Sequence, residues 1–431
     1  MFETHVAPER ALLVQAVVQQ GGRELAERLC EELYHLTTSA ALVPLDRLFF
    51  SISQIAPGAY FGRGQVERIA EVVQDREVDV VVVNHTLSPV QQRNLERALK
   101  VKVVDRTGLI LEIFASRART REGRMQVQLA SLIYQQSRLV RSWTHLERQR
   151  GGVGLRGGPG EAQIEIDRRL IRQRIAKLKR ALKEVARTRA LQRAPRRDVP
   201  LFTAALVGYT NAGKSTLFNR LSGAEVGVKD QLFATLDPTM RGVVLPQGGK
   251  VVLGDTVGFI RDLPHALVSA FRATLEEVCE ADLLIQVVDI SDPDHESQME
   301  AVQEVLEELE VHRKPMLTLF NKVDLLENGA SLAARLRERD NTLVVSAQSG
   351  EGLDAFLAVL EREVSRSWHH FQLSIPVWEG ALMARLHQEG RVVRQREEGD
   401  HMHLDVALPE ASAGRLQAEL TRFARTDHSD H

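Results

Sequence analysis

Eighteen residues near the middle of the chain, LFTAALVGYTNAGKSTLF at 201–218, leave few folds open. An apolar strand runs straight into a glycine loop and on into a helix start. Residues 208–215 match G-x-x-x-x-G-K-S. Gly208 and Gly213 let successive backbone N–H groups turn inward around phosphate oxygens, and the helix N-terminus adds a favourable partial charge. Lys214 can reach the β- and γ-phosphates and Ser215 can offer its hydroxyl to Mg²⁺, while Tyr209, Thr210, Asn211, Ala212 and Thr216 complete the loop and first turn. Such a strand belongs in a doubly wound α/β sheet that holds its ligand beyond the carboxyl ends of the strands.

Further fragments follow in the order that a guanine-nucleotide site needs. VVLGDTVG ends a buried strand in Asp255, placed to hold magnesium through water; Thr256 and Val257 lead to Gly258, whose N–H can meet a γ-phosphate. FATLDPT carries Phe233, Ala234, Thr235, Leu236 and Asp237 between loop and switch, where the Thr235 hydroxyl can complete the magnesium shell. MLTLFNKVD ends another strand in Asn321, Lys322, Val323 and Asp324. The Asp324 carboxylate can accept from two guanine nitrogens, donors that adenine lacks, so discrimination against ATP is expected. VVSAQSG supplies Ser346, Ala347 and Gln348 as a loop over the base carbonyl. Lys214, Thr235 and Gly258 are the catalytic candidates; Ser215, Thr235 and Asp255 are the magnesium candidates.

Phe259 breaks the pattern. In the usual template a Gln after this glycine orients the attacking water, which Phe cannot do. Either Phe259 is a core side chain of a slow hydrolase, or a partner brings the missing group, a device worth about 10³- to 10⁵-fold. Asn211 is open to two readings as well: a residue that tolerates a turn conformation, or a ligand for K⁺ beside the phosphates.

At 431 residues the chain has room for two to four domains. The expected class is mixed α/β: a small N-terminal α/β domain (1–116), a helical hairpin arm (117–195), a central doubly wound P-loop domain (200–367) and a small C-terminal α+β domain (368–431). In the first, ALLVQAVV and VDVVVV read as buried strands, and SPVQQRNLERAL opens a helix on Ser88 with Pro89 behind it. In the last, the order is strand, helix, two strands, helix. Cys30 and Cys279 lie in helical, partly apolar patterns and read as reduced core residues. The N-terminus lacks the order of a signal peptide, and the longest apolar run is far below a membrane span. A cytoplasmic monomer is the expectation.

Net charge is only -2, but its distribution is uneven: residues 117–198 hold 22 Lys/Arg against 7 Asp/Glu. Two apolar stripes run through this region, from Met125 to Leu146 and from Ile164 to Val185, in steps of three and four. They suit two helices packed along a seam, each reaching about 35 Å at about 1.5 Å per residue. GGVGLRGGPG (151–160) between them would be the tip, longer than a hairpin turn demands. The basic arm suits RNA, with Arg148, Arg150, Arg156, Arg168 and Arg169 as candidate RNA contacts.

The five nucleotide motifs resemble those of translation-factor-related P-loop GTPases. More narrowly, residues 103–118, 151–170 and 255–277 resemble the HflX family of ribosome-associated GTPases, and the likeness covers nearly the whole chain. RGGPGE carries one glycine more than the family's usual R-G-P-G-E. The resemblance implies Mg²⁺-dependent GTP hydrolysis, binding of the large ribosomal subunit with the arm tip near the peptidyl-transferase centre, and rescue or splitting of stalled ribosomes, often under stress. A ribosome-assembly GTPase remains an alternative, as does a switch acting on a protein effector with no RNA.

Overall fold

The computed structural model describes residues 8–18, 22–149, 159–193, 202–223, 232–233, 235–246, 248–263, 268, 271, 275–326, 336, 341–366, 368–408 and 410–424. Three sheets organise them. The first alternates strands and helices: β1 (Arg10–Val18), α1 (Gly22–Ser39), β2 (Val43–Ile52), α2 (Arg63–Asp75), β3 (Val80–Val83), α3 (Pro89–Leu99), β4 (Lys102–Asp105) and α4 (Arg106–Arg117). Its order is β2-β1-β3-β4, all parallel. β3 is four valines, all buried, as a strand covered on both faces requires. Ser88 caps α3 as expected: its Oγ accepts the Gln91 N–H at 3.2 Å and Gln91 Oε1 accepts the Ser88 N–H at 2.9 Å.

Two long helices follow, α5 (Arg121–Gln149) and α6 (Pro159–Arg193), packed on each other. Leu129 and Leu132 of the first stripe are buried, and Ile175, Leu178 and Leu182 of the second pack against the core. At 35 residues α6 spans about 52 Å, longer than the stripe alone suggests. The stripe marks only the packed length, and polar turns with Pro159 at the start extend the helix beyond it.

The central sheet is built from β5 (Thr203–Gly208), α7 (Lys214–Ser222), β6 (Thr239–Val244), β7 (Lys250–Asp255), α8 (Glu276–Glu280), β8 (Leu283–Asp289), α9 (His295–Glu308), β9 (Met316–Asn321), β10 (Thr342–Val344) and α10 (Leu353–Arg366). The order is β10-β9-β8-β5-β7-β6, with β6 antiparallel to β7 and the other pairs parallel. Parallel strands bring the ends at Gly208, Asp255, Asn321 and Val344 to one edge, which is what gathers the separated motifs. The third sheet, antiparallel β11-β13-β12, has the expected chain order: β11 (His369–Pro376), α11 (Gly380–Glu389), β12 (Arg391–Glu398), β13 (His401–Leu408), then α12 (Glu410–Arg415) and α13 (Gln417–Phe423) in place of one helix.

One apolar cluster runs without a break from Leu13 of β1 and Leu33 of α1 to Phe233, Leu236, Phe259 and Phe271 beside the nucleotide loops. Phe114 of α4 meets both Phe233 and Phe271 edge-on, at ring centroid distances of 4.6 and 4.8 Å. Each such pair adds about 0.5–1.5 kcal/mol beyond its buried area.

Candidate nucleotide-binding site

β5 is buried from Ala204 onward and delivers its loop to the centre of the sheet edge. Both loop glycines are required by their surroundings. Gly208 has φ +148°, and a Cβ there would stand 2.3 Å from the Val287 carbonyl oxygen; at Gly213, φ +94°, a Cβ would stand 2.2 Å from Asn321 Nδ2. That Asn321 amide ties the loops together. Its Nδ2 donates to the Ala212 carbonyl at 2.9 Å, while its Oδ1 accepts the Ala347 N–H at 2.8 Å. The Lys214 ammonium is buried and donates to the carbonyls of Gly208 and Tyr209 at 3.0 and 2.7 Å. Burial pulls it down to about 8, against a smaller upward pull from Asp255.

Ser215, Thr235 and Asp255 converge. Ser215 Oγ and Thr235 Oγ1 both donate to Asp255 Oδ2, at 2.7 and 2.8 Å, and lie 2.9 Å from each other. Asp255 is buried, and its other oxygen, Oδ1, has no hydrogen-bond partner among the described residues. Burial pushes this carboxyl up, and the two hydroxyls pull it partly back. Two hydroxyls around a buried, half-satisfied carboxylate make an oxygen donor set that fits Mg²⁺.

The following segment is pinned to the loop through its main chain. Thr256 Oγ1 donates to the Leu206 carbonyl at 2.6 Å. A Cβ on Gly258 would stand 2.9 Å from Thr210 Cα and 3.0 Å from Lys214 Nζ, so only glycine fits. Phe259 N–H donates to the Gly208 carbonyl at 3.0 Å, and its own carbonyl accepts the Thr210 N–H at 2.8 Å. The Phe259 ring is 1% exposed and lies in the shared core. On the other side of the edge, Lys322 has φ +66° and pairs with Asp289 at 2.6 Å, Val323 is buried, and Asp324 is exposed. Ser346 Oγ accepts the Ser349 N–H at 2.9 Å, and Arg220 donates to the carbonyls of Gln348 and Ser349.

Four family models cover most of the chain: GTP-binding GTPase N-terminal over residues 27–115, GTP-binding GTPase Middle Region over 117–196, 50S ribosome-binding GTPase over 203–322 and HflX C-terminal domain over 331–431. The GTPase HflX of Magnetococcus marinus is 60% identical over 98% of this chain and 98% of its own length. That of Escherichia coli is 44% identical over 96% of this chain and 97% of its own. The chain belongs to the HflX family of GTPases. Among solved structures, a GTP-binding protein from Sulfolobus solfataricus in complex with GDP is 24% identical, with 83% of this chain and 99% of that one covered and a TM-score of 0.44.

The HflX chain thus hydrolyses GTP, and its edge gathers the main chain of every sequence-read loop in the described residues; Ala234 lies outside them. Four of the side chains read as GTP-binding turn elsewhere. Tyr209 donates its hydroxyl to Glu32, and that oxygen accepts the Arg261 N–H at 3.0 Å. Burial first, then Glu32, pushes the Tyr209 phenol well above its usual range. Phe233 and Leu236 enter the shared core. Asp237 spends both carboxylate oxygens on Arg119 and Thr120, at the start of α5. Asn211 is exposed with φ +62°, a left-handed turn conformation that Asn tolerates.

Sequence reasoning missed the residues that receive these side chains. The buried Arg106 guanidinium donates to Glu32, to Asn84 Oδ1 at 2.9 Å and to the Arg261 carbonyl at 3.2 Å; Asn84 in turn donates to Gln15 at 2.6 Å. This polar chain joins the carboxyl edge of the first sheet to the nucleotide loops. Of the arm candidates, Arg169 is exposed, Arg168 is half-buried, and Arg148 lies in the α5 backbone; Arg150, Arg156 and most of the tip fall outside the described residues.

Proposed function

We propose that this HflX GTPase binds the large ribosomal subunit, that docking completes its hydrolytic site, and that turnover rescues or splits stalled ribosomes. One observation carries the reading. Phe259 is locked into the core by its ring and onto the loop by two main-chain hydrogen bonds, so its position offers nothing to orient a water. A hydrolase with that position filled by a core ring needs the group from outside, which docking can supply.

In this reading Lys214 contacts the β- and γ-phosphates, Gly258 N–H meets the γ-phosphate, and Asn321, Lys322, Val323, Asp324, Ser346, Ala347 and Gln348 hold guanine. Ser215 and Thr235 directly, and Asp255 through water, would hold Mg²⁺, which when bound offsets charge on the phosphate oxygens. The description of the model over 203–322, 50S ribosome-binding GTPase, supports the choice of partner. So does α6, which carries eleven Lys/Arg against four Asp/Glu. Arg148, Arg150, Arg156, Arg168 and Arg169 are the proposed rRNA contacts.

GTP turnover measured with and without purified large subunits tests the proposal. Stimulation of about 10³-fold or more is expected; equal rates overturn it.

A further inference from the structure

Helices cover one face of the C-terminal sheet. α11, α12 and α13 pack on the side that carries Leu373, Ile375, Leu404, Val406 and Leu408. On the other side His370, Gln372, Arg391, Arg394, Arg396, Glu398 and His401 are exposed.

That exposed face is organised by a bulge. Along β12, Arg391 lies opposite Ala407, Val392 opposite Val406 and Arg394 opposite Asp405, so Val393 is an inserted residue and is 53% exposed. Side chains alternate faces in a strand, and without the insertion Arg391 and Arg394 would point to opposite sides. With it, Arg391, Arg394 and Arg396 fall opposite Ala407, Asp405 and His403, every second residue of β13. The three arginines therefore line one face at intervals of about 6.8 Å, two residues at about 3.4 Å each. All three are exposed, and none forms an ion pair among the described residues.

Planar groups stand beside this row. His403 pairs across the strands with Arg396, and His401 is its neighbour on the same face. Trp378, just beyond the end of β11, is 73% exposed and meets the His401 ring edge-on at 6.4 Å. Two acids share the face: Glu398, 3.5 Å from His403, and Asp405 opposite Arg394. A row of cations with exposed rings and a few acceptors has the makings of a single-stranded RNA platform. Arginines meet phosphates, rings stack on bases, and a carboxylate can accept from a base amino group. An acidic peptide would use the arginines but leave the rings and carboxylates without a partner. The face is too polar for an apolar protein contact.

We propose that this face binds a single-stranded stretch of RNA, with the Arg391–Arg394–Arg396 row on consecutive phosphates and Trp378 stacked on a base. It rests on the ribosome-binding reading only for the source of that RNA.

The test uses the full chain and a fluorescein-labelled ten-nucleotide RNA of mixed sequence, titrated across a salt series, with a poly-glutamate peptide as the competing probe. Replacing all three arginines by Ala is expected to weaken RNA binding at least tenfold. It should also reduce the slope of log K against log salt by about two, at about 0.7 per phosphate contact in a single strand. Trp378→Ala is expected to weaken binding about fivefold or more with the slope unchanged. Basal GTP turnover should match wild type in both variants, which reports that they fold. Wild-type affinity and slope in the triple variant overturn the proposal. So does loss of peptide binding with RNA binding intact, which would assign the face to a protein. Subunit-stimulated turnover is read separately: no stimulation of the wild-type chain removes the ribosome as partner, yet leaves the oligonucleotide result standing.

Discussion

Asp237 accepts the backbone N–H of Thr120 at 3.0 Å, and through its other oxygen the Thr120 hydroxyl at 2.5 Å. The first oxygen also takes the Arg119 N–H at 3.1 Å. A residue only two positions beyond Thr235 thus holds Thr120 in place, and the Thr120 hydroxyl in turn caps the first arm helix by accepting the Gly123 N–H at 2.9 Å. A Cβ on Gly123 would stand 2.6 Å from the same carboxylate, so the fit leaves no space on that side. Helix starts leave N–H groups without partners, and a lost cap costs about 1 kcal/mol. Asp237→Ala is therefore expected to lower the melting temperature by a few degrees and to speed amide exchange at residues 119–124. Asp237→Asn, which keeps a carbonyl oxygen for the two N–H groups, should recover much of both. Unchanged exchange in the alanine variant would remove the coupling between this loop and the arm.

Tyr209→Phe tests the second link between the two halves. The hydroxyl donates to Glu32 and accepts from the Arg261 N–H, so its removal leaves a backbone donor in a part-buried place without a partner. A loss of about 1–3 kcal/mol is expected in denaturant unfolding. Because Glu32 is also held by Arg106, the variant should be non-additive with Glu32→Gln by about 0.5–3 kcal/mol. Strict additivity would mean that the network does not act as a unit.

The nucleotide motifs were legible because each is local: a glycine pattern, a strand ending in a carboxylate, a short loop with a fixed backbone shape. The alternation of apolar strands with amphipathic helices announced the α/β class, and Ser88 announced its helix by a cap; the spatial order of the strands came only with the structure. The interdomain contacts were not legible. Tyr209 and Glu32 are 177 residues apart; one looks like a variable loop position and the other like a solvent-facing residue of an amphipathic helix. The sequence of α1 does not mark Glu32 as facing Arg106, since that depends on how two domains dock. The carboxylate contacts of Asp237 were hidden for a related reason. Proximity to Thr235 suggested the nucleotide, while the carboxylate turns to a helix that begins far earlier in the chain. Phe259 posed its problem in the sequence, but only packing shows which way the ring faces.

That direction makes a sharp prediction for Phe259→Gln. The ring is enclosed, so an amide at this position enters an apolar core and cannot reach the phosphates unless the segment unzips. Basal GTP turnover is expected not to rise. Thermal unfolding should show a loss of several kcal/mol, combining a lost core side chain with a buried polar group. A tenfold gain in basal turnover would mean that the segment opens readily and that the site can be completed from within.

Lys214 should give two opposite dependences on pH. Burial holds its ammonium at about 8, below the ordinary 10.5. Between those values the unfolded chain keeps a proton that the folded chain has released, so stability rises with pH across the window. The penalty is fully present below about 8. Other lysines and tyrosines titrate nearby, and the difference between wild type and Lys214→Met isolates this group. It should close by up to about 3 kcal/mol as pH climbs toward 10.5, at about 1.36 kcal/mol per unit. Nucleotide binding runs the other way. Phosphate oxygens favour the charged lysine and raise its pKa again, so the free chain must take up a proton to bind above about 8. Affinity for a fluorescent GTP analogue should then fall with each unit from pH 8 to 9.5, approaching tenfold per unit, and stay flat between 7 and 7.5. Flat binding throughout would mean that the ammonium is already fully charged in the free chain, and that burial does not govern its proton.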